Sequence, residues 1–192
     1  MHIIPGEGGC KRLRLPSAAN ILRTMPFPPL TPDQLFARLD ALGIAHRTYA
    51  HAPVFTVAEA VALRGALPGG NCKSLFLKDK KGRLWLAVVL EQRRVDLKRL
   101  ADALGAPRFS FGSPEQLYAA LGVRPGSVTP FALVNDADRR VTVVLDKAML
   151  GHDLLNYHPL ENERTTAISP SDLLRFIGAC GHEPCIVDFD AA

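Results

Sequence analysis

Two apolar runs separated by a short polar turn stand out between Gly69 and Leu90. A Gly69-Gly70 turn opens the run Asn71-Cys72-Lys73-Ser74-Leu75-Phe76-Leu77-Lys78, and residues 83–90 form a second apolar run. Asp79-Lys80-Lys81-Gly82 joins them as a short glycine-containing turn, so the pair predicts a β-hairpin. Successive side chains point to opposite faces of a strand. Lys73, Leu75 and Leu77 therefore share one face, and Cys72, Ser74 and Phe76 the other. Lys73 stands at the mouth of the first strand on a face otherwise held by leucines. An ammonium there either snorkels to water or serves as a functional cation beside an apolar pocket.

Around this hairpin, helix signals recur. Thr31-Pro32-Asp33-Gln34 reads as a capping box with proline at the first helical position, and Leu35, Phe36, Leu39 and Leu42 supply an apolar stripe that Gly43 ends. Thr56-Val57-Ala58-Glu59 is a second capping box, for a helix reaching about Leu63. Asp96 caps a helix carrying Leu97, Leu100 and Leu104. Ser113-Pro114-Glu115-Gln116 starts another that stops at Gly122, and Ser169-Pro170-Ser171-Asp172 starts the last. Strands are expected at 46–50, 108–111, 153–157, 164–168 and 185–189. A second hairpin is expected from 131–135 and 141–146 around the turn Asp136–Arg139. Helices and hairpins mix without β-α-β alternation, which predicts a mixed α/β fold: one sheet or partly closed barrel flanked by helices.

Composition narrows the class. The chain has 192 residues, 47% hydrophobic and 22% charged, which suits a single globular domain. No apolar run approaches the ~20 residues of a membrane-spanning helix. Residues 1–30 are basic and nearly free of acids, yet lack the apolar stretch and cleavage site of a targeting peptide. They are expected to be a disordered extension, with Met25 an alternative first residue, ahead of a domain over 31–190. The net charge of +4 is uneven: between Lys73 and Arg99 nine basic residues face three acids. That run suits RNA as a partner and also fits a solvated face. The four cysteines form no CxxC pair, and Cys180, His182 and Cys185 would need a fourth ligand to hold zinc. Reduced thiols in the cytoplasm are the expectation.

Signatures for a serine nucleophile elbow, a phosphate-binding loop, a zinc-binding helix or a dinucleotide fold are missing. Two loops carry candidate chemistry. Gly126-Ser127-Val128-Thr129-Pro130 is either a rigid connection or a backbone cradle for a carbonyl or ribose hydroxyl. Around Asn156-Tyr157-His158, alternation puts Asn156 and His158 on one face, with Thr165 and Thr166 re-entering a strand nearby. An amide, an imidazole and hydroxyls could there bond a small polar ligand, or merely cap their own turns.

The series CKSLFLKDKKGRLWL, RVDLKRLADALG, FSFGSPEQL, LGVRPGSVTPFALVND and NYHPLENERTTAIS resembles the YbaK/ProX family of aminoacyl-tRNA editing domains, in order from about Leu30 to Asp190. The freestanding prolyl-tRNA-editing members are the nearest in pattern. The resemblance implies the YbaK fold and a cytoplasmic hydrolase needing neither metal nor cofactor. It also implies deacylation of mischarged tRNA(Pro), chiefly Ala-tRNA(Pro), with prolyl-tRNA synthetase a further candidate partner and neither DNA nor membrane involved. By the family pattern the catalytic residues are Lys73 and His158. The substrate contacts are Gly126, Ser127, Val128, Thr129, Pro130, Asn156, Thr165 and Ser74, the last at a position often held by asparagine. Alternatives are Cys-tRNA(Pro) as substrate, a tRNA- or synthetase-binding module without catalysis, or a hydrolase using Cys72, which alternation turns away from Lys73.

Overall fold

A computed structural model describes residues 28–50 and 67–189. The helix expected from Thr56 and most of the N-terminal extension lie outside these residues. The helix Pro32–Ala41 begins as its capping box requires. Thr31 Oγ1 accepts from the Gln34 N–H at 3.3 Å, and Gln34 Oε1 accepts from the Thr31 N–H at 2.9 Å. Pro114–Leu121 repeats the device with Ser113 and Gln116, and ends on Gly122 in the left-handed region at φ 68°. Asp96 and Ser169 cap Leu97–Ala103 and Pro170–Ala179.

Among the described residues eight strands form one mixed sheet: β1 (His46–Ala50), β2 (Gly70–Asp79), β3 (Leu84–Leu90), β4 (Phe109–Phe111), β5 (Val141–Asp146), β6 (Leu155–Tyr157), β7 (Arg164–Ile168) and β8 (Cys185–Val187). They run in the order β1-β7-β6-β2-β3-β5-β8, with β4 also on β2. The expected hairpin is β2–β3, paired antiparallel from Cys72↔Leu90 to Lys78↔Leu84. Buried Asp79 pins its turn, accepting from the Lys81 N–H at 2.8 Å and the Arg83 N–H at 3.1 Å, and pairing with Arg83 Nε at 2.5 Å. Apolar layers cover both faces of β3. Leu84, Leu86 and Val88 pack with Leu35, Phe131, Tyr157 and Phe176, while Trp85 and Ala87 pack with Leu77, Leu100 and Phe109.

The other edge of β2 is shared. Parallel β6 takes Gly70 and Asn71, antiparallel β4 takes Leu77 to Asp79, and Gly112 N–H bonds the Phe76 carbonyl at 3.0 Å. Between these partners, no strand among the described residues pairs with this edge.

The second hairpin does not form. Residues Pro130–Asn135 are a 3₁₀ helix: Pro130 starts it, and Thr129 Oγ1 caps it by accepting from the Phe131 N–H at 3.3 Å. Phe131, Ala132 and Leu133 are buried in succession, as residues of the central strands β3 and β5 also are, so burial does not separate the two. β5 pairs parallel with β3 and with β8 instead. The strand expected from 153 begins only at Leu155. The sheet is mixed and flanked by helices, as expected, and among the described residues β1 and β8 end its pairing order.

Near β5, His182 is buried with Nε2 3.7 Å from Asp136 Oδ2, where a metal-ligand role had been weighed for it. Among the described residues, no group of three or more histidine, cysteine or acidic side chains could hold a metal. Asp136 is already engaged by the N–H groups of Arg140 (3.0 Å) and Val141 (2.8 Å). Burial, with nearby Arg139, pushes the His182 pKa below its usual 6.5 against the opposing pull of Asp136. In the unfolded chain the imidazole protonates below about 6.5, whereas the folded one resists, so acid favours unfolding. We expect the melting temperature to fall from pH 7.5 to 5.5, with a shallower fall in His182→Gln. Scanning calorimetry across that range checks it; identical slopes would place the acid sensitivity elsewhere.

Candidate functional site

The stretch of β2 between its two edge partners forms one wall of a cleft of about 190 Å³. Lys73 and Ser74 line it from β2, Asn156 and His158 from β6 and the residue after it, Thr165 from β7, and Gly126 and Val128 from the loop before the 3₁₀ helix. Seven of the ten residues singled out from sequence thus meet in one place. Ser127, Thr129 and Pro130 do not line it. They are buried, Thr129 as the helix cap and Pro130 as its first residue, so the loop gives two residues to the cleft and spends three on its own support.

Gly126 adopts φ +93°, a region that L side chains rarely enter. The nearest atom to a Cβ built there is Asn162 Nδ2 at 4.0 Å, so glycine is required by backbone conformation and not by crowding. His158 Nδ1 lies 3.2 Å from the Arg164 carbonyl oxygen. A carbonyl only accepts, so Nδ1 carries the proton, and in the neutral ring Nε2 is the accepting nitrogen. Arg164 pairs with Glu161 and lies 5.3 Å over the Phe36 ring, which ties the β6–β7 turn to the first helix. Asn156 is 3% exposed; its Nδ2 donates to the Pro68 carbonyl at 3.0 Å and to Asn71 Oδ1 at 3.2 Å. Lys73 is half-buried, and among the described residues neither an acid nor an acceptor engages its ammonium. The Ser74 hydroxyl is enclosed without a hydrogen-bond partner.

Sequence reasoning missed four walls of the cleft: Asn71, Cys72, Glu91 and Tyr157. Asn71 and Glu91 sit at strand ends, where alternation gives no signal. Tyr157 lies between two predicted residues. Alternation turns Cys72 away from Lys73, and it packs against the opposite core, yet both residues border the cleft. Its thiol contacts the Tyr157 hydroxyl and donates weakly to the Gly70 carbonyl at 3.8 Å. Burial pushes the Cys72 thiol up to about 11 and also raises Tyr157 well above its ordinary value. At neutral pH Cys72 is a thiol, not a nucleophilic thiolate. The site therefore offers a cation, an oriented imidazole, an amide and hydroxyls, a set suited to positioning a small polar ester.

Comparison with known proteins identifies the family. The family model described as aminoacyl-tRNA editing domain matches residues 51–176. The prolyl-tRNA synthetase associated domain-containing protein 1 of Danio rerio is 42% identical over 154 residues, covering 79% of this chain and 84% of the relative. The prolyl-tRNA editing protein ProX of Acetoanaerobium sticklandii is 35% identical over 149 residues, covering 77% and 91%. A solved structure described as a candidate trans-editing enzyme for prolyl tRNA synthetase superposes with a TM-score of 0.64 at 23% identity, covering 83% of this chain and 97% of its own. No helix among the described residues is long and apolar enough to cross a membrane. A family match across most of the domain, with relatives above 30% identity over most of their length, places this chain in the aminoacyl-tRNA editing domain family.

Proposed function

We propose that this protein hydrolyses the ester of mischarged aminoacyl-tRNA(Pro), releasing free amino acid and tRNA, with alanine the favoured amino acid and cysteine the rival. The observation that carries this reading is a Lys73 ammonium with no partner among the described residues and an oriented His158 imidazole in one small cleft. An aminoacyl ester is already activated, so water can attack its carbonyl carbon once the ester is held and the oxyanion stabilised. Lys73 supplies the charge for that oxygen or for a neighbouring phosphate. His158 Nε2 accepts a hydrogen bond from the attacking water or the ribose hydroxyl. The acyl C–O bond breaks and the ribose oxygen takes the proton. The cleft volume of about 190 Å³ is below the ~300–1,000 Å³ of sites for drug-sized ligands and suits a small acyl group. A synthetase that accepts proline discriminates poorly against smaller side chains, at ~1–3 kcal/mol per methylene, which gives such an editor its task.

Labelled Ala-, Cys- and Pro-tRNA(Pro) incubated with the protein test the reading: Ala-tRNA(Pro) should lose its ester fastest. Loss no faster than in buffer, with tRNA retained on a filter, would mark a binding module instead. Lys73→Ala removes a charge-assisted contact contributing ~1.5–3 kcal/mol. Single-turnover deacylation should then slow by about one to two orders of magnitude, with circular dichroism unchanged. Lys80→Ala and Lys81→Ala, exposed in the hairpin turn, should weaken tRNA affinity only modestly, and less at high salt. A parental rate in Lys73→Ala would remove the lysine from the mechanism. Cys72→Ser should keep at least a third of the parental rate, because a thiol held near pKa 11 does no nucleophilic work; abolished turnover in a folded variant would revive the cysteine mechanism.

A further inference from the structure

The Asn156 amide is committed at one end and unpaired at the other. Both Nδ2 hydrogens are engaged, by the Pro68 carbonyl and by Asn71 Oδ1, and these contacts fix the amide plane. Oδ1 is enclosed and accepts no hydrogen bond. A buried acceptor left unpaired bears the desolvation cost of a lost hydrogen bond. Such a defect in the wall of a cleft is repaired by a ligand that brings a donor.

Position tells which donor. Asn156 pairs with Asn71 across the β6–β2 ladder, so it shares a sheet face with Asn71 and Lys73. It therefore lies about two residues, roughly 7 Å, along β2 from Lys73. An aminoacyl ester has its carbonyl oxygen and its α-nitrogen on adjacent carbons. With the carbonyl oxygen toward the Lys73 ammonium, like-charge repulsion sends the α-ammonium to the other side of the cleft. There Asn156 Oδ1 offers an unpaired acceptor in the lining of the same cleft. A charge-assisted bond from an ammonium is stronger than one from a ribose hydroxyl, the other donor available.

Building on the proposed deacylase reading, we propose that Asn156 Oδ1 receives the free α-ammonium group of the aminoacyl ester. The cleft then selects unblocked aminoacyl esters over N-acylated ones, and Asn156 positions the carbonyl against Lys73.

Binding of a non-hydrolysable substrate mimic tests this independently of turnover. The probes are 3′-(L-alanylamino)-3′-deoxyadenosine and its N-acetyl derivative, titrated calorimetrically into the unaltered protein. The free-amine probe should bind at least about tenfold more tightly at pH 7. Its advantage should shrink by pH 9, as an α-amino group of pKa ~7.7–8.0 loses its charge. Asn156→Leu, checked by circular dichroism, should weaken the free-amine probe and leave the acetylated one unchanged, and Asn156→Asp should restore the preference. Equal affinities for the two probes, binding of neither, or a preference unchanged at pH 9 would overturn the proposal, whether or not a variant folds. Equal weakening of both probes in folded Asn156→Leu would do so as well. If the amine preference holds while Ala-tRNA(Pro) is not deacylated, the hydrolytic reading falls and the amine reading stands. If deacylation proceeds with both probes bound equally, the reverse is true.

Discussion

Everything at the site depends on an incomplete ladder. Each residue of a strand must find partners for an N–H and a C=O, and among the described residues β2 finds strand partners along its whole length only on the β3 side. On the other edge two short strands take its ends and stop. The Gly70 N–H reaches the Leu154 carbonyl, and the Phe76 carbonyl receives the Gly112 N–H, so even-numbered residues direct their main-chain groups toward this edge. Cys72 and Ser74 therefore turn their peptide groups toward the stretch between β6 and β4, where the cleft lies. Exposed edges are usually a liability that proteins blunt. Here the interruption is only a few residues long and sits deep in a sheet, where it becomes a wall of polar main chain beside Lys73.

That geometry explains why two partners so different in sequence position belong to one site. β6 arrives parallel to β2, placing Asn156 level with Asn71 and His158 just beyond. β7 returns antiparallel and sets Thr165 close by. The loop before the 3₁₀ helix completes the cleft with Gly126 and Val128, held from behind by buried Thr129 and Pro130. The support is apolar and close packed: Phe131, inside that helix, meets Tyr157 and Phe176 edge to face at 5.8 and 5.5 Å. The helix that replaces the expected strand therefore anchors both the loop and β6.

What could be read from the chain followed the range of the interactions involved. Caps are local, four residues deciding each helix start, and Thr31, Asp96, Ser113 and Ser169 all cap as their sequences require. The β2–β3 hairpin is nearly as local. Phe131 to Asn135 misled because apolar residues buried on every side look the same in a 3₁₀ helix as in a central strand. The distinguishing signal was Thr129-Pro130, a cap followed by a helix-starting proline. Cys72 does pack on the face opposite Lys73, as alternation requires, but alternation does not say which residues of either face border a cleft. Partner choice for β5 was not legible either, since parallel pairing with β3 is a long-range fact.

Charge pairing shows how Lys73 differs from its surroundings. Where arginines meet buried acids elsewhere in the sheet, each has its partner: Arg83 with Asp79, Arg93 with Asp146 at 2.6 Å, Arg140 with Asp136 at 3.4 Å. Breaking such a pair strands a charge in a low-dielectric interior, so these pairs hold turns and strand ends in place. Lys73 is half-buried with its ammonium uncommitted, beside an imidazole whose Nδ1 is tied to a carbonyl and an amide oxygen that accepts nothing. Folding alone gains nothing from leaving the ammonium and the amide oxygen without partners among the described residues. A ligand that brings an oxygen for the lysine and a donor for the amide satisfies both at once, and an aminoacyl ester carries the two within adjacent atoms.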